Sequence, residues 1–333
     1  MVAFKEILAS NAKINDANAP RVSVFAGATS GIGKLTLQAL VATGASLRIY
    51  LVGRASAASR TQAWIAELQA TNPKAEIIWT EGEISLLAEV KRISELIKAK
   101  ESSVDLLFLT AGYAPFGGRS DTAEGIEVTQ SLEYYSRILF AQHLLPLLHA
   151  SKTGGRVISV LGGGLEWFTP DLDNLDLKKP GTFGAHKGQI LYGTMNTMVL
   201  DKLAHDNPGV TFMHSWPGWV STGNVDRGNY APGSLMDWIT SLLLAPIIRT
   251  FAMSNETSAQ RNLFECTSAA FGGRGVPWTG KPGVNTLGKE EDGMFLVNYK
   301  ADCTPNAKVI PGMREKAQAR MWEHTQEVLR PYL

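Results

Sequence analysis

The chain has 333 residues, 44% of them hydrophobic and 19% charged, a mixture that excludes a disordered or fibrous protein and leaves ample material for a buried core. A formal net charge of +1, with no block of like charges, excludes a nucleic-acid-binding stripe or an acidic tail and points to small molecules as partners. Cys266 and Cys303 are too few for a disulfide framework and lack metal-ligand spacing, so two reduced cysteines in an intracellular protein are expected, with no metal.

Residues 1–20, "MVAFKEILASNAKINDANAP", read as a polar N-terminal extension without the apolar region of a secretory signal, which makes the cytoplasm the expected location. From residue 21 onward, β-branched runs alternate with helical patterns. "RVSVFAG" predicts a strand and "IGKLTLQALVATG" a helix closed by Gly44. "SLRIYLVGR" predicts a second strand, "AASRTQAWIAELQATNP" a helix stopped at Asn72-Pro73, and "AEIIWTEGEIS" a third strand with its exit loop. Leu86, Leu87, Val90, Ile93 and Ile97 repeat at helical spacing. "SVDLLFLTAG" is a continuous apolar run ending at glycine, the pattern of a strand buried on both faces. A long helix is expected from about Ser131 to Ala150, then the strand "GRVISVLGGG", a Gly/Pro/Asp-rich loop, and a helix from about Leu191 to Asp206. "GVTFMHSWPGWV" predicts a sixth strand running into a turn, and the tail after about Ala231 reads as mostly helical.

Alternating β and α elements imply an α/β fold: a Rossmann-like, doubly wound parallel sheet with helices on both faces. With no repeat and no low-complexity linker, one domain over residues 21–333 is expected, including lid and C-terminal helices from about residue 231. The most apolar stretch, "WITSLLLAPIIRTFAM" from Trp238, contains Pro246 and Arg249 and falls short of the roughly 20 apolar residues that span a bilayer. A buried or lid helix is expected there.

"GATSGIGK" lies between the first strand and the first helix, with Gly27, Gly31 and Gly33 spaced G-x-x-x-G-x-G. A glycine-rich turn at a helix N-terminus presents free N–H groups and the positive end of the helix dipole, an anion site suited to a pyrophosphate. Dinucleotide-binding chains that take NAD place an acid about twenty residues further on, against the ribose 2′-OH. Here the second strand ends "YLVGR", and Arg54 can instead pair with a 2′-phosphate through its planar fork, joined by Ser56, Ser59 and Arg60. NADP(H) is the expected cofactor, with Arg54 as a merely solvated loop residue the alternative.

With these features the chain resembles the short-chain dehydrogenase/reductases, and most closely members of the type found in fungal secondary metabolism, over roughly residues 21 to 225 and more weakly through "ARMWEHTQEVLRPYL". The resemblance implies that the nucleotide loop (Gly27, Thr29, Ser30, Gly31, Ile32, Gly33) holds the cofactor. It implies the same for Glu83 and Ile84 against the adenine, and for Thr110, Ala111 and Gly112, which replace the family's N-N-A-G after the fourth strand. Pro217, Gly218, Val220 and Thr222 in "SWPGWVST" would border the nicotinamide. It also implies pairing into a homodimer or tetramer through the two long helices.

That family reduces a carbonyl with a Ser, a Tyr-x-x-x-Lys pair and an assisting Asn, because the oxygen gaining charge needs a hydroxyl donor and the phenol needs a nearby ammonium to lower its pKa. This chain departs at each place. Leu161 and Gly162 stand where two serines are expected, with Ser159 offset from that position, and Glu133 in "SLEYYSR" aligns with the Asn. "YGTMN" offers Tyr192 and Asn196, four apart on one helix face, although Asn196 cannot lower a phenol's pKa. Counting backward from "DKLAHDNPGVTF" instead places the expected pair at Gln189 and Gly193, leaving neither. The candidate catalytic residues are therefore Tyr192, Asn196, Glu133 and Ser159. Tyr134 and Tyr135 read as core or interface packing, and His186 and Lys187 as residues of a loop before Tyr192.

Trp167, Phe168, Trp216, Trp219, Tyr230 and Trp238 fall in the segments expected to wall the substrate side, a density that suits a bulky hydrophobic small molecule. Trp216, at a strand end, reads as core packing. Three functions remain open at this level. They are an NADP(H)-dependent oxidoreductase acting on a carbonyl or alcohol, a non-redox isomerase, cyclase or dehydratase on the same scaffold, and a nucleotide-binding protein without chemistry.

Overall fold

The computed structural model describes residues 2–113, 118–167, 169–220 and 252–333. Among the described residues seven strands, β1 (Val22–Ala26), β2 (Leu47–Gly53), β3 (Ala75–Glu81), β4 (Leu106–Leu109), β5 (Arg156–Val160), β6 (Thr211–Ser215) and β7 (Met294–Val297), form one sheet in the order β3-β2-β1-β4-β5-β6-β7. Every neighbouring pair is parallel. This is the expected doubly wound α/β arrangement. The strand order reverses between β1 and β4, which opens a crevice at their carboxyl ends.

Strand side chains alternate between two cores, which is why the strands read as continuous apolar runs rather than half-polar ones. Val24, Leu107, Leu109 and Val157 pack on one face, and Phe25, Phe108, Ile158 and Met213 on the other. Each such side chain contributes about 2 kcal/mol by leaving water. The first face is covered by α4 (Leu87–Lys98), α5 (Ser136–His149) and α6 (Ala185–Asp206); the other by α1 (Phe4–Asn11), α2 (Gly31–Val41), α3 (Ala58–Thr71) and α7 (Asn255–Thr267).

Three elements differ from the sequence reading. The tail supplies β7, which pairs with β6 and builds the C-terminal region into the same sheet, beside the helices α8 (Ile310–Lys316) and α9 (Gln318–Leu329). The helix expected from Leu191 begins at Ala185, so His186 and Lys187 lie in its first turn rather than in a loop. The long helix near Ser131 is not uniform: a short helical piece, Val128–Gln130, leads into a π-helical turn over Ser131–Tyr135 before α5 begins.

The C-terminal segment lies over the two long helices. Tyr134 and Thr325 share a hydroxyl–hydroxyl hydrogen bond, and the ring of His143 bonds the carbonyl of Tyr332. Arg314 grips Asp201 of α6 with two bonds of 2.8 Å. The chain's own C-terminal segment thus engages side chains of the helices that the resemblance assigns to subunit pairing. Among the described residues no helix is long and apolar enough to cross a membrane. The apolar stretch from Trp238 falls, up to residue 251, outside the described residues, as do Thr222, Tyr230 and Phe168.

Candidate functional site

The crevice at the carboxyl ends of β1, β2, β4, β5 and β6 is a continuous cleft with two halves that share Gly27, Ser30, Thr110 and Gly112. At its centre, Gly27 has a φ of +97°, and a Cβ there would lie 2.3 Å from the backbone nitrogen of Ala111. Only glycine lets the first turn lie this close to the end of β4. The hydroxyl of Thr110 donates to the carbonyl of Gly27 at 3.0 Å and fixes the same approach. The first turn of α2 thereby aims its free N–H groups into the cleft, with Gly31 and Ile32 on the wall.

One half of the cleft runs over Thr29, Gly53, Arg54, Glu83, Ile84 and Ala111, with Tyr113 beside them. Arg54 is exposed on its rim at the end of β2, and Ser56, Ser59 and Arg60 follow it, also exposed. Glu83 spends one carboxylate oxygen on the hydroxyl of Ser85, which shapes the turn after β3. The other half is lined by Pro217 and Gly218 from the turn after β6, by Val160 and Leu161 from the end of β5, and by Glu133, Gln189 and Trp216. Val220 lies beyond this lining, bridged to Met253. Trp216, expected in the core, is half-buried on the cleft wall, edge-on to Tyr299.

The four catalytic candidates separate. Tyr192 is fully buried outside the cleft lining, and its hydroxyl donates to the Glu127 carboxylate at 3.2 Å. Burial, followed by the charge of Glu127, drives its pKa far above that of a free phenol, the opposite of what a proton-donating tyrosine needs. Ser159 is likewise buried: it accepts from Arg137 Nη1 at 2.8 Å and donates to Asn196 Oδ1 at 3.0 Å. Asn196 Nδ2 donates to the carbonyls of Glu133 (2.7 Å) and Tyr192 (2.9 Å). These three side chains brace the wall from behind and do not reach the cleft. Tyr134 and Tyr135 face the C-terminal helix, where Tyr135 bonds Asp176 and His324.

Glu133 does reach the cleft, from within the π-helical turn. Such a turn widens the helix by one residue, re-aims side chains and strips carbonyls of their usual partners. Side chains bond carbonyls of this turn: Asn196 holds that of Glu133, and Ser136 Oγ and Arg137 Nε hold that of Leu132. The Glu133 side chain then lies against Gly112, where a Cβ would come within 2.5 Å of its Cγ. Gln189 Nε2 donates to its Oε2 at 2.6 Å. Burial raises its pKa to about 8, although Arg137 and Gln189 pull it down. Arg137 is itself buried and lowered to about 10 by desolvation. It spends its bonds on Ser159, Leu132, Val160 and Ala111, so it acts on Glu133 as a fixed positive charge and not as a bonded partner.

Of the two positions that the sequence offers for the family's tyrosine, Gln189, and not Tyr192, lines the cleft. A Cβ on Gly193, one turn on, would meet no atom within 4 Å among the described residues. The loop after β5 is pinned by a buried chain. The Gly162 N–H donates to His214 Nε2 at 3.0 Å, His214 Nδ1 and Thr197 Oγ1 are 2.7 Å apart, and Thr197 donates to Glu166. Burial pushes His214 down to about 3, so its ring is neutral and, with Nε2 accepting, carries its proton on Nδ1. Arg137 and the Gly162 anchor were not anticipated from the sequence. The one local signal was a Glu and an Arg four apart in "SLEYYSR", a spacing that ordinarily marks a solvated helix pair.

Residues 21–163 match the family described as short chain dehydrogenase. Along almost its full length the chain is 36% identical to the oxidoreductase AN1596 of Emericella nidulans, covering 99% of this chain and 98% of that protein. It is 35% identical to the oxidoreductase lepF of Aspergillus flavus, covering 100% and 98%. Among solved structures, the NADPH-bound carbonyl reductase from chicken fatty liver superposes with a TM-score of 0.52 at 17% identity, over 86% of this chain and 98% of that one. The glycine turn, the strand order and these full-length relatives agree: the chain belongs to the short-chain dehydrogenase/reductase family.

Proposed function

We propose that the chain is an NADP(H)-dependent oxidoreductase of a single domain, acting in the cytoplasm on a carbonyl or alcohol of a bulky hydrophobic small molecule. The observation that carries this reading is the cleft. Gly27, Ser30 and the first turn of α2 suit a pyrophosphate, Glu83 and Ile84 line the half of the cleft that would take the adenine, and Arg54 stands where a 2′-phosphate would lie, with no acid at the end of β2. Pro217, Gly218 and Leu161 would border the nicotinamide, whose chemistry is hydride transfer. Trp216 supports an apolar ligand on the same side, and the relatives named oxidoreductases support the reaction class.

The test is cofactor binding followed by turnover. The protein should bind NADPH more tightly than NADH and oxidise it with hydrophobic ketones. Arg54→Ala should cost about 10- to 100-fold in NADPH affinity, the worth of charge-assisted hydrogen bonds, and leave NADH binding unchanged. Equal affinity for both dinucleotides would remove the assignment of NADP(H).

A second reading, a non-redox isomerase, cyclase or dehydratase on this scaffold, draws on one specific observation: Leu161 and Gln189 line the cleft, and with Gly193 they would stand in for the family's hydroxyl, phenol and ammonium. It gains if the protein binds NADPH, never oxidises it, and still converts a metabolite.

A further inference from the structure

We propose that the carboxyl group of Glu133 exchanges the proton with the substrate oxygen in this cleft, and that Gln189 is the positioning residue that holds it there. This rests on the oxidoreductase reading above and supplies the donor which that reading lacks. Three geometric facts point to it. Glu133 and Gln189 lie together on the half of the cleft bordered by Pro217, Gly218 and Leu161. Glu133 sits on the π-helical turn, whose backbone Asn196 anchors by donating to the Glu133 carbonyl at 2.7 Å. Gly112 has no side chain to crowd it, and Gln189 Nε2 donates to Oε2 at 2.6 Å and fixes the carboxyl in place.

The groups around the carboxyl favour a donor. Its own helix supplies Arg137, whose N–H groups are committed to neutral acceptors. The segment just before contributes the negative Glu127, which opposes ionisation. The exit of β4 brings Tyr113, whose backbone N–H favours the carboxylate. From α6 come Gln189 and Tyr192, both neutral, with Tyr192 held uncharged by burial. Burial outweighs the rest and leaves the acid protonated up to about pH 8.

In the reducing direction, the hydride and its electron pair come from a reduced dihydronicotinamide dinucleotide and form a new C–H bond at the carbonyl carbon. The C=O π pair moves onto oxygen, which takes the proton from the Glu133 carboxyl as an O–H bond forms and the carboxyl O–H bond breaks. The carbonyl is reduced, the dinucleotide is oxidised, and Glu133 is left as a carboxylate beside the Arg137 charge until water returns a proton. Oxidation of an alcohol runs the same steps in reverse, with the carboxylate as base.

Glu133→Gln preserves shape and the partner of Gln189 and removes only the proton. It should bind NADPH within about 2-fold of wild type yet lose at least about 100-fold in turnover with hydrophobic ketones, the scale of general acid catalysis. Glu133→Asp keeps an acid and should retain part of the activity, with its pH dependence intact. In wild type, kcat/KM for reduction should fall as pH rises through about 8. Gln189→Leu should move that fall to higher pH, because a bond that favours the carboxylate is gone, a shift that loss of packing alone would not produce. Independently of activity, the infrared band of a protonated carboxyl that titrates near pH 8 should lose intensity in Glu133→Gln without substrate present. A fully active Glu133→Gln with the wild-type pH profile and infrared titration overturns this proposal and leaves the oxidoreductase reading standing. A wild-type protein that binds NADPH but never oxidises it removes both.

Discussion

Two buried corners of the molecule have the same composition and opposite surroundings. Glu133 and Arg137 stand at the cleft; Glu265, on α7, and Arg156, on β5, stand outside its lining. Burial lifts both carboxyls to about 8 and lowers both guanidinium groups to about 10. In the second corner, Arg156 clasps the carbonyls of Glu265, Ser268, Phe271 and Arg274, which anchors the chain leaving α7 onto the sheet. Glu133 instead has a carboxyl oxygen accepting from a side chain of the cleft wall. A displaced pKa is thus a record of burial; it becomes a tool of chemistry only where a substrate can touch the group.

Substitution can separate the two corners, and the largest effect falls on the structural one. Arg156→Met strands several buried carbonyls at once and should cost on the order of 3–5 kcal/mol in urea unfolding, while NADPH affinity at low temperature stays at the wild-type value. A loss below about 1 kcal/mol would mean that those carbonyls find other partners and that the clasp is incidental.

The next effect is a pH dependence shared by both corners. Each glutamate has a folded pKa of about 8 against an ordinary value of 4.5, so the folded state binds the proton more tightly. Their contribution to stability is complete below about pH 4.5 and is lost as pH rises through about 8. The unfolding midpoint should therefore decline between those limits. Glu265→Gln should match wild type near pH 6 within about 1 kcal/mol, exceed it at pH 9, and leave turnover untouched. Glu133→Gln should flatten the same slope while cutting turnover at least about 100-fold. If Glu265→Gln also stopped turnover, the distinction between a reachable and an unreachable carboxyl would collapse.

The sheet was legible in the sequence wherever one strand carried enough apolar residues between turn signals. β7 was not, because "MFLV" is only four residues long and follows a polar, glycine-containing loop. The start of α6 was hidden by "AHKGQI", where a glycine and polar residues weaken the helical pattern that packing against the cleft wall restores. The nucleotide half of the cleft is written locally, since glycine spacing dictates backbone geometry whatever lies around it. The other half is relational. Glu133 and Gln189 are 56 residues apart and meet only through the fold, and no hydrophobic period announces a π-helical turn. Sequence could nominate Glu133, but only its neighbours separate it from an exposed helix glutamate.

The smallest expected effect is the sharpest test of register. Tyr192 and Gln189 lie within one turn of α6, and the two alignments of the family's tyrosine differ only in which of them faces the cleft. The Tyr192 hydroxyl makes one 3.2 Å bond to Glu127 inside the core, and Glu127 keeps the Thr129 hydroxyl and the Gln130 N–H when that bond is removed. Tyr192→Phe should therefore cost about 1 kcal/mol of stability, the net worth of one hydrogen bond, and leave kcat, KM and the pH profile unchanged. Gln189→Leu, with a similar or smaller effect on stability, should move the pH profile. Should the pattern invert, with Tyr192→Phe inactive and Gln189→Leu unaffected, α6 would have to present its other face to the substrate in solution, and Glu133 would lose the partner that orients it.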